Sequence, residues 1–415
     1  MVDQQTMEKY AELALRTGVN LQKGQALMIN APIEGAHFTK YVVKKAYEMG
    51  AKDVHVQWTD DDLTLLKYEH APDEVLTNYP EWKVKLHDFY AEDGAAILSI
   101  YSTNPDLLKD IDSKRVAKAN KAAAQALANF RTYTMNDKIT WSIISIPTGD
   151  WAQKVFPNQT REKAIASLWE AIVNIVRVDQ DDPIAAWEEH NATLETAQHI
   201  LNEKRYKKLI FKAPGTHLEI DLPEGHLWKG GSAISEQGIT FNPNMPTEEV
   251  FTLPHKYGVN GTVSSTKPLN YGGSLIDHFS LTFKDGKVID FKAEQGKDTL
   301  KHLLDTDEGA RRLGEVALVP HESPVSQSNL IFYNTLFDEN ASCHLALGKA
   351  YPTNLEGGAE MSVEELDQHG VNDSLTHVDF MIGSENLDID GIIEDGSTEA
   401  IFRQGTWALN VKGKQ

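Results

Sequence analysis

The chain has 415 residues, of which 41% are apolar and 24% charged, a composition that indicates a globular protein with room for two or more domains and argues against disorder. Its 40 basic and 61 acidic residues give a net charge of −21, which opposes binding to nucleic acid and to anionic membranes. Because Cys343 is the only cysteine, no internal disulfide can form, and any metal ion must be held mainly by oxygen and nitrogen.

The N-terminal segment, residues 1–18, carries acidic and polar residues where a secretory signal would need a basic start and an apolar stretch. No later apolar run approaches the length of a membrane span. We therefore expect a cytoplasmic protein whose partners are small molecules or peptides, with neither a membrane nor nucleic acid among them.

The first 150 residues alternate between helical and strand patterns. An amphipathic pattern over 7–16 predicts a helix, and helical patterns also cover 35–50, 61–93 and the segment that follows Ser113. The predicted strands lie between these helices, at 26–32, 53–59, 95–102 and 140–148. Strands separated by helices predict an α/β domain with a parallel sheet flanked by helices. No GxGxxG motif follows the first strand, so nothing supports dinucleotide binding.

Two long amphipathic segments between residues 160 and 207 predict a helical connection, and the texture changes after it. From Leu209 onward, alternating strands are separated by Gly, Pro and Asn turns, as in the hairpin sequence KDGK at 284–287. Helices are predicted at 297–305 and 307–314. We expect an α/β N-terminal domain over residues 1–185 and a β-rich α+β domain over 186–415.

The chemically suggestive residues all lie in the second domain. Glu248 and Glu249 precede a short strand-like run, and Glu315 follows Gly314 at the start of an apolar strand. In the apolar run SLTHVDFMIGS, His377 and Asp379 are two residues apart and therefore share one face of a strand. They form either a structural pair, in which the carboxylate orients the imidazole, or two ligands of one metal ion.

A further segment, residues 339–352, contains Glu339, His344 and Tyr351 in a similarly apolar setting. An unpaired charge buried in such segments would cost several kcal/mol. Basic residues near these acids are few, and they are Arg311, Arg312 and Lys349. If the acids converge, divalent cations are the natural counterions.

Each candidate also has an ordinary explanation. Glu248 or Glu249 can be an exposed residue at the start of a strand, Glu315 can cap a backbone turn, and His344 can be a hydrogen-bonded core histidine. For the other histidines, His255 and His321 among them, we expect no functional role.

Five segments, in this order and spacing, resemble the M29 family of metallo-aminopeptidases: NMPTEEVFTLP (244–254), VNGTV (259–263), LGEVALV (313–319), ASCHLALGKAYP (341–352) and THVDFMIGS (376–384). The resemblance implies an α/β N-terminal domain, an α+β catalytic domain and a homodimer whose active sites face an enclosed cavity. It also implies an aminopeptidase that releases N-terminal residues from peptides with a free amine, using metal-bound hydroxide.

The same resemblance implies a site with two divalent metal ions, for which oxygen and nitrogen ligands favour Zn, Co or Mn. Its metal ligands are Glu249, Glu315, His344, His377 and Asp379 by this correspondence. Tyr351, Glu315 and Glu339 are the implied catalytic residues, with Glu339 either a further ligand or a proton carrier.

Two other classes of protein remain possible from these residues. An iron oxygenase with two histidines and one carboxylate often begins its ligand set with His-x-Asp, but no histidine follows His377 to complete it. A non-catalytic metal-binding or peptide-binding protein would use the same ligands without hydrolysis.

Overall fold

The structure is a computed structural model that describes residues 2–102, 104–271 and 274–411. The chain forms two compact units. The first comprises the described parts of Met1–Glu189, together with Ser232–Pro246 and Ile331–Leu336. The second comprises His190–Gly231, Thr247–Leu330 and the described part of Phe337–Gln415. The boundary between residues 185 and 186 stays a prediction.

Helices and strands are numbered here in chain order. The helices are α1 Gln4–Leu13, α2 Ala36–Glu48, α3 Asp61–His70, α4 Asp73–Thr77, α5 Glu81–Glu92, α6 Ser113–Ala126, α7 Ala128–Met135, α8 Gly149–Val155, α9 Arg161–Ile175, α10 Pro183–Lys204, α11 Lys297–Leu304, α12 Pro324–Gln327, α13 Thr335–Asp338 and α14 Val363–Gln368. The strands are β1 Ala26–Pro32, β2 Asp53–Thr59, β3 Ala96–Ile100, β4 Trp141–Ile144, β5 Lys208–Ala213, β6 Thr216–Asp221, β7 Lys229–Gly230, β8 Ala233–Ile234, β9 Thr240–Phe241, β10 Val250–Thr252, β11 Val259–Ser264, β12 Leu269–Tyr271, β13 Ser274–Lys284, β14 Lys287–Gln295, β15 Leu313–Leu318, β16 His344–Gly348, β17 His377–Met381, β18 Asp388–Ile392, β19 Thr398–Arg403 and β20 Thr406–Trp407.

The first unit is built on a parallel sheet with strand order β2-β1-β3-β4, and this confirms the predicted α/β architecture. Its central strands are mostly apolar, with Leu27, Ile29 and Leu98 fully buried, as expected where helices cover both faces. In the edge strand β4, the amide of Ile143 donates to the carbonyl of Pro243 at 2.8 Å. This hydrogen bond connects residues 232–246 to the sheet of the first unit.

The second unit contains two antiparallel sheets, and this confirms the predicted β-rich α+β architecture. The larger sheet has the order β12-β13-β11-β6-β5-β18-β19-β20, with β14 paired to β13. The predicted KDGK hairpin joins β13 to β14, and its central residues, Asp285 and Gly286, have φ of 49° and 78°. The smaller sheet, of order β17-β16-β15-β10-β7, contains the segments with the chemically suggestive residues.

The predicted helix over 307–314 is wrong. Only the 3₁₀ turn Gly309–Arg311 forms there, and β15 already begins at Leu313. The side chain of Asp307 accepts from the amide of Ala310 at 2.8 Å, which stabilises a single turn. A Cβ at Gly314 would lie 2.4 Å from the carbonyl oxygen of Gly348, so the strand is held against β16 by a close approach that only glycine permits.

Among the described residues, no helix combines the length and the apolar character that a membrane crossing requires.

A buried carboxylate in the larger sheet gives a stability prediction. Asp390 is 7% exposed and accepts hydrogen bonds from Lys212 and Arg403 on the neighbouring strands. Burial raises the pKa of Asp390, but the two basic partners outweigh burial and lower it below its usual value. We expect Asp390→Asn to reduce the free energy of unfolding by about 1–2 kcal/mol at pH 7, since both partners are half exposed.

Because the folded-state pKa of Asp390 is lowered, its contribution is present above the unfolded pKa of about 4 and disappears as the pH falls through the folded value. Denaturant unfolding between pH 7 and pH 3 should therefore show the two proteins converging in acid. Asp290→Asn, at an exposed position of β14, is the control and should change little. A pH-independent difference between wild type and Asp390→Asn would contradict this explanation.

Candidate metal centre

One face of the smaller sheet of the second unit carries the predicted site residues. Glu315 in β15 pairs with Ala346 in β16, and Ala346 pairs with Asp379 in β17. His344 and His377 lie two residues from Ala346 and Asp379 in the same two strands. Directly paired residues of an antiparallel sheet share a face, as do alternate residues of one strand. The sheet therefore aligns two acids and two imidazoles on one side.

Small residues separate these polar side chains. The positions on the same face between them are occupied by Ala317, Ala346 and Gly348. Three larger side chains on the opposite face, Val316, Leu345 and Phe380, are at most 1% exposed and belong to the hydrophobic core of this unit. The sheet is thus anchored through one face, while on the other face short side chains alternate with the polar ones.

The polar atoms form two overlapping groups. In the first, Nε2 of His344 lies 3.2 Å from Oε2 of Glu249 and 3.4 Å from Oε1 of Glu315. In the second, Nε2 of His377 lies 3.7 Å from Oε2 of Glu315 and 3.4 Å from Oδ1 of Asp379. Within each group the potential ligand atoms are all within 4.8 Å of one another. Glu315 belongs to both groups and offers a different oxygen to each.

Backbone hydrogen bonds fix which nitrogen of each neutral imidazole carries the hydrogen. Nδ1 of His344 lies 3.1 Å from the carbonyl oxygen of Ser342, and Nδ1 of His377 lies 2.7 Å from that of Lys349. Because a carbonyl oxygen only accepts, each Nδ1 carries the hydrogen. Nε2 of the neutral ring then carries a lone pair. These lone pairs face carboxylate oxygens, which only accept when ionised, so either a proton or a metal cation must lie between them.

Two carboxylate oxygens support the fit to a metal ion. Oε2 of Glu249 and Oδ1 of Asp379 are buried and accept no aligned hydrogen bond from the described residues. A buried carboxylate oxygen without a donor is costly unless a cation is present. The donor set of carboxylates and neutral imidazoles suits divalent Zn, Co or Mn.

Without metal, the same atoms retain protons. Burial raises the pKa of the Glu315 carboxyl to about 7, although His344 opposes the rise. Burial alone would lower the pKa of His377, but Asp379 outweighs it and leaves the pKa at about 9. Burial is likewise outweighed at His344, where Glu249 and Glu315 raise the pKa well above its usual value. Protons therefore partly take the role of a cation, and metal binding must displace them.

Two further predicted residues lie beside this cluster. The Tyr351 ring centroid is 5.0 Å from that of His377, and Tyr351 is 39% exposed. Burial and the charges of Glu315 and Asp379 raise its pKa, so the hydroxyl stays protonated. Glu339, on a 3₁₀ turn, is half-buried, and burial together with nearby acids raises its pKa well above the usual range.

The structure keeps the other polar candidates away from the cluster. Glu248 is buried, with Oε2 3.7 Å from Nε2 of His190, while Glu249 beside it in the chain belongs to the first group. His255 accepts from the amide of Tyr257 at 3.3 Å, and His321 lies 3.1 Å from Oγ of Ser326.

Sequence reasoning missed the small residues on the site face and the aromatic ring of Phe251, which lies 6.1 Å from the Tyr351 ring. Alternation in HLALG would have placed His344, Ala346 and Gly348 on one face. The position of Phe251 depends on the pairing of β10 with β15, which no local pattern reveals.

The family model described as thermophilic metalloprotease (M29) matches residues 3–407. Aminopeptidase 2 from Geobacillus stearothermophilus is 62% identical over 405 residues, which cover 98% of each chain. Aminopeptidase T from Thermus thermophilus is 44% identical over 403 residues, covering 97% of this chain and 98% of the relative. The solved structure of wild-type AmpT from Thermus thermophilus has a TM-score of 0.92 at 42% identity and covers 98% of this chain and 99% of its own.

The fold and the site together define an enzyme of the metallopeptidase class, a hydrolase that acts on peptides with a divalent metal ion. The chain belongs to the M29 family of thermophilic metalloproteases. The predicted resemblance and the predicted peptide-bond hydrolase are confirmed.

The small side chain of Ala346, between Glu315 and Asp379, gives a test of the site. Ala346→Val adds methyl groups between Glu315 and Asp379, and we expect it to weaken metal binding about 10- to 100-fold, as disturbing the surroundings of metal ligands commonly does. Bound metal per chain, measured by elemental analysis after dialysis against limiting metal, checks this expectation.

The control for this variant is Val316→Ile, which adds a methylene to the core-facing side of the same sheet. Overpacking should cost it about 1–3 kcal/mol in stability without changing its metal content. Full metal binding by Ala346→Val would show that no metal ion lies beside Ala346.

Proposed function

We propose that the protein is an aminopeptidase with two divalent metal ions, Zn, Co or Mn, held by Glu249, Glu315, His344, His377 and Asp379. The observation that carries the proposal is the position of Glu315, whose two oxygens lie 3.4 Å and 3.7 Å from Nε2 atoms of two different histidines. A carboxylate in this position can bridge two ions at the separation of about 3.5–4 Å that is typical of dinuclear hydrolases.

The charge of the site supports this assignment. Two divalent ions bring four positive charges, and the carboxylates of Glu249, Glu315 and Asp379 offset three of them, which leaves a net charge of about +1. When bound, the ions supply an activated water, the hydroxide nucleophile, and polarise the carbonyl of the substrate.

The protein's own groups supply orientation and proton transfer. Tyr351, with a protonated hydroxyl and a ring beside His377, is suited to donate a hydrogen bond to the oxyanion that develops on the scissile carbonyl. Glu339, half-buried near the acids of the cluster, is suited to carry a proton to the leaving amine.

The preference for N-terminal residues rests on the relatives, which are named aminopeptidases. In this proposal the free α-amine of the peptide would bind at the metal centre, and this would place the first peptide bond beside the activated water. We further propose a cytoplasmic homodimer, in keeping with the resemblance that the motifs indicate.

Blocking the substrate amine tests this specificity. We expect hydrolysis of leucine p-nitroanilide but not of its N-acetyl derivative, because acetylation removes the basic amine that the site would bind. Absorbance of released nitroaniline gives the rates. Chelation should abolish them, and Zn, Co or Mn should restore them. Equal cleavage of both substrates would indicate an endopeptidase, and no cleavage at any metal loading would favour a non-catalytic binding protein.

The bridging role of Glu315 is tested separately. Glu315→Gln removes a charge and one potential ligand oxygen, so we expect lower metal content and loss of turnover by about a hundredfold or more. Elemental analysis and the nitroanilide assay measure the two effects. Glu294→Gln, at an exposed position of β14, is the matched control. Retained activity with full metal loading in Glu315→Gln would remove Glu315 from the site.

A further inference from the structure

Tyr351 lies three residues after the end of β16, immediately before a short turn. Tyr351 is followed by the 3₁₀ turn Pro352–Asn354, and the amide of Asn354 donates to the carbonyl of Tyr351 at 3.0 Å. This hydrogen bond closes the turn but does not attach it to the rest of the domain. Something else must fix the position of the Tyr351 ring relative to the sheet.

The side chain of Asn354 provides that attachment. Its Nδ2 donates to the carbonyl of Phe251 at 3.2 Å and to the carbonyl of Leu227 at 3.1 Å. Both partners are carbonyl oxygens, so only the NH₂ end of the amide can serve them. Asn354 is 1% exposed, and its backbone carbonyl accepts from the backbone amide of Leu227 at 2.7 Å.

These contacts connect Tyr351 to the strand that follows the predicted ligand Glu249. Phe251 lies in β10, two residues after Glu249, and its ring meets the Tyr351 ring edge-on, with centroids 6.1 Å apart and an angle of 69°. The Tyr351 ring also lies 5.0 Å from the ring of His377. The ring therefore contacts two aromatic neighbours, while Asn354 attaches the turn that follows it to β10.

We propose that Asn354 is the positioning residue of Tyr351: its amide fixes the 351–354 turn to β10 and so sets where the Tyr351 hydroxyl lies relative to the metal centre. Asn354 touches neither substrate nor metal and acts only through the tyrosine. The consequence for catalysis rests on the proposed function, in which Tyr351 donates to the oxyanion. Misplacing a catalytic group by about 1 Å can cost about a hundredfold in rate.

The test uses Asn354→Ala, with Asn354→Ser as a milder variant that retains one donor. We expect kcat to fall about 10- to 100-fold in Asn354→Ala and less in Asn354→Ser, with KM and metal content unchanged. In a Tyr351→Phe background, Asn354→Ala should cause no further loss, because the hydroxyl that it positions is absent. Additive losses, or a loss of metal in step with the loss of activity, would overturn the proposal.

A matched control is available in α10. Nδ2 of Asn202 donates to the carbonyl of Trp228 at 3.0 Å, and Oδ1 accepts from the amide of Trp228 at 2.8 Å, so it too holds backbone with two hydrogen bonds. Asn202→Ala should lose stability comparable to Asn354→Ala and retain wild-type kcat. An equal loss of kcat in both variants would reduce the effect of Asn354 to general destabilisation and overturn the proposal.

A second measurement does not depend on activity. With 3-fluorotyrosine at position 351 in the metal-free protein, we expect one shifted ¹⁹F resonance in the wild type and in Asn202→Ala. In Asn354→Ala it should move toward the position of free fluorotyrosine. If Tyr351→Phe alone proved fully active, the proposed catalytic role of Tyr351 would fail while the ¹⁹F shift still supported Asn354. An unchanged resonance in Asn354→Ala would overturn the positioning role itself.

Discussion

The central constraint on this protein is a set of buried carboxylate oxygens and imidazole nitrogens that require positive charge between them. Backbone carbonyls accept from Nδ1 of His344 and His377, so that both Nε2 atoms face carboxylate oxygens. In a weakly polarisable interior this arrangement is unfavourable unless positive charge fills it. Protons can supply part of that charge, as the raised pKa values of Glu315 and His344 indicate, and divalent metal ions can supply all of it.

The sheet tolerates these buried charges because only one of its faces is packed in the hydrophobic core. On the core face, large side chains such as Phe380 and Leu345 are buried and contribute roughly 2–3 kcal/mol each. On the site face, Ala317, Ala346 and Gly348 have small side chains or none and contribute little packing. The free energy that holds the strands together is therefore supplied from one side, which leaves the other side free to collect charges that oppose folding.

The surroundings of the site extend this division of roles. Nδ2 of Asn354 donates two hydrogen bonds from a buried turn, and it connects the segment of Tyr351 to the strand that continues from Glu249. A side chain that reacts with nothing can thereby determine the position of one that does. The rings of Phe251 and His377 also contact the same tyrosine.

Local patterns in the sequence determined the alternating helices and strands of the first unit, the KDGK hairpin and the shared face of His377 and Asp379, because these features depend on neighbours within a few residues. The five motifs identified the family and predicted a set of site residues. Only the tertiary structure decided that 307–314 is not a helix, since the close approach of Gly314 to Gly348 involves distant parts of the chain. It alone also decided that Glu315 stands between two histidines and that Phe251 and Asn354 surround Tyr351. Strand pairing brings together residues as distant in the chain as Lys208 and Ile392, and no periodicity along the chain encodes which strands pair.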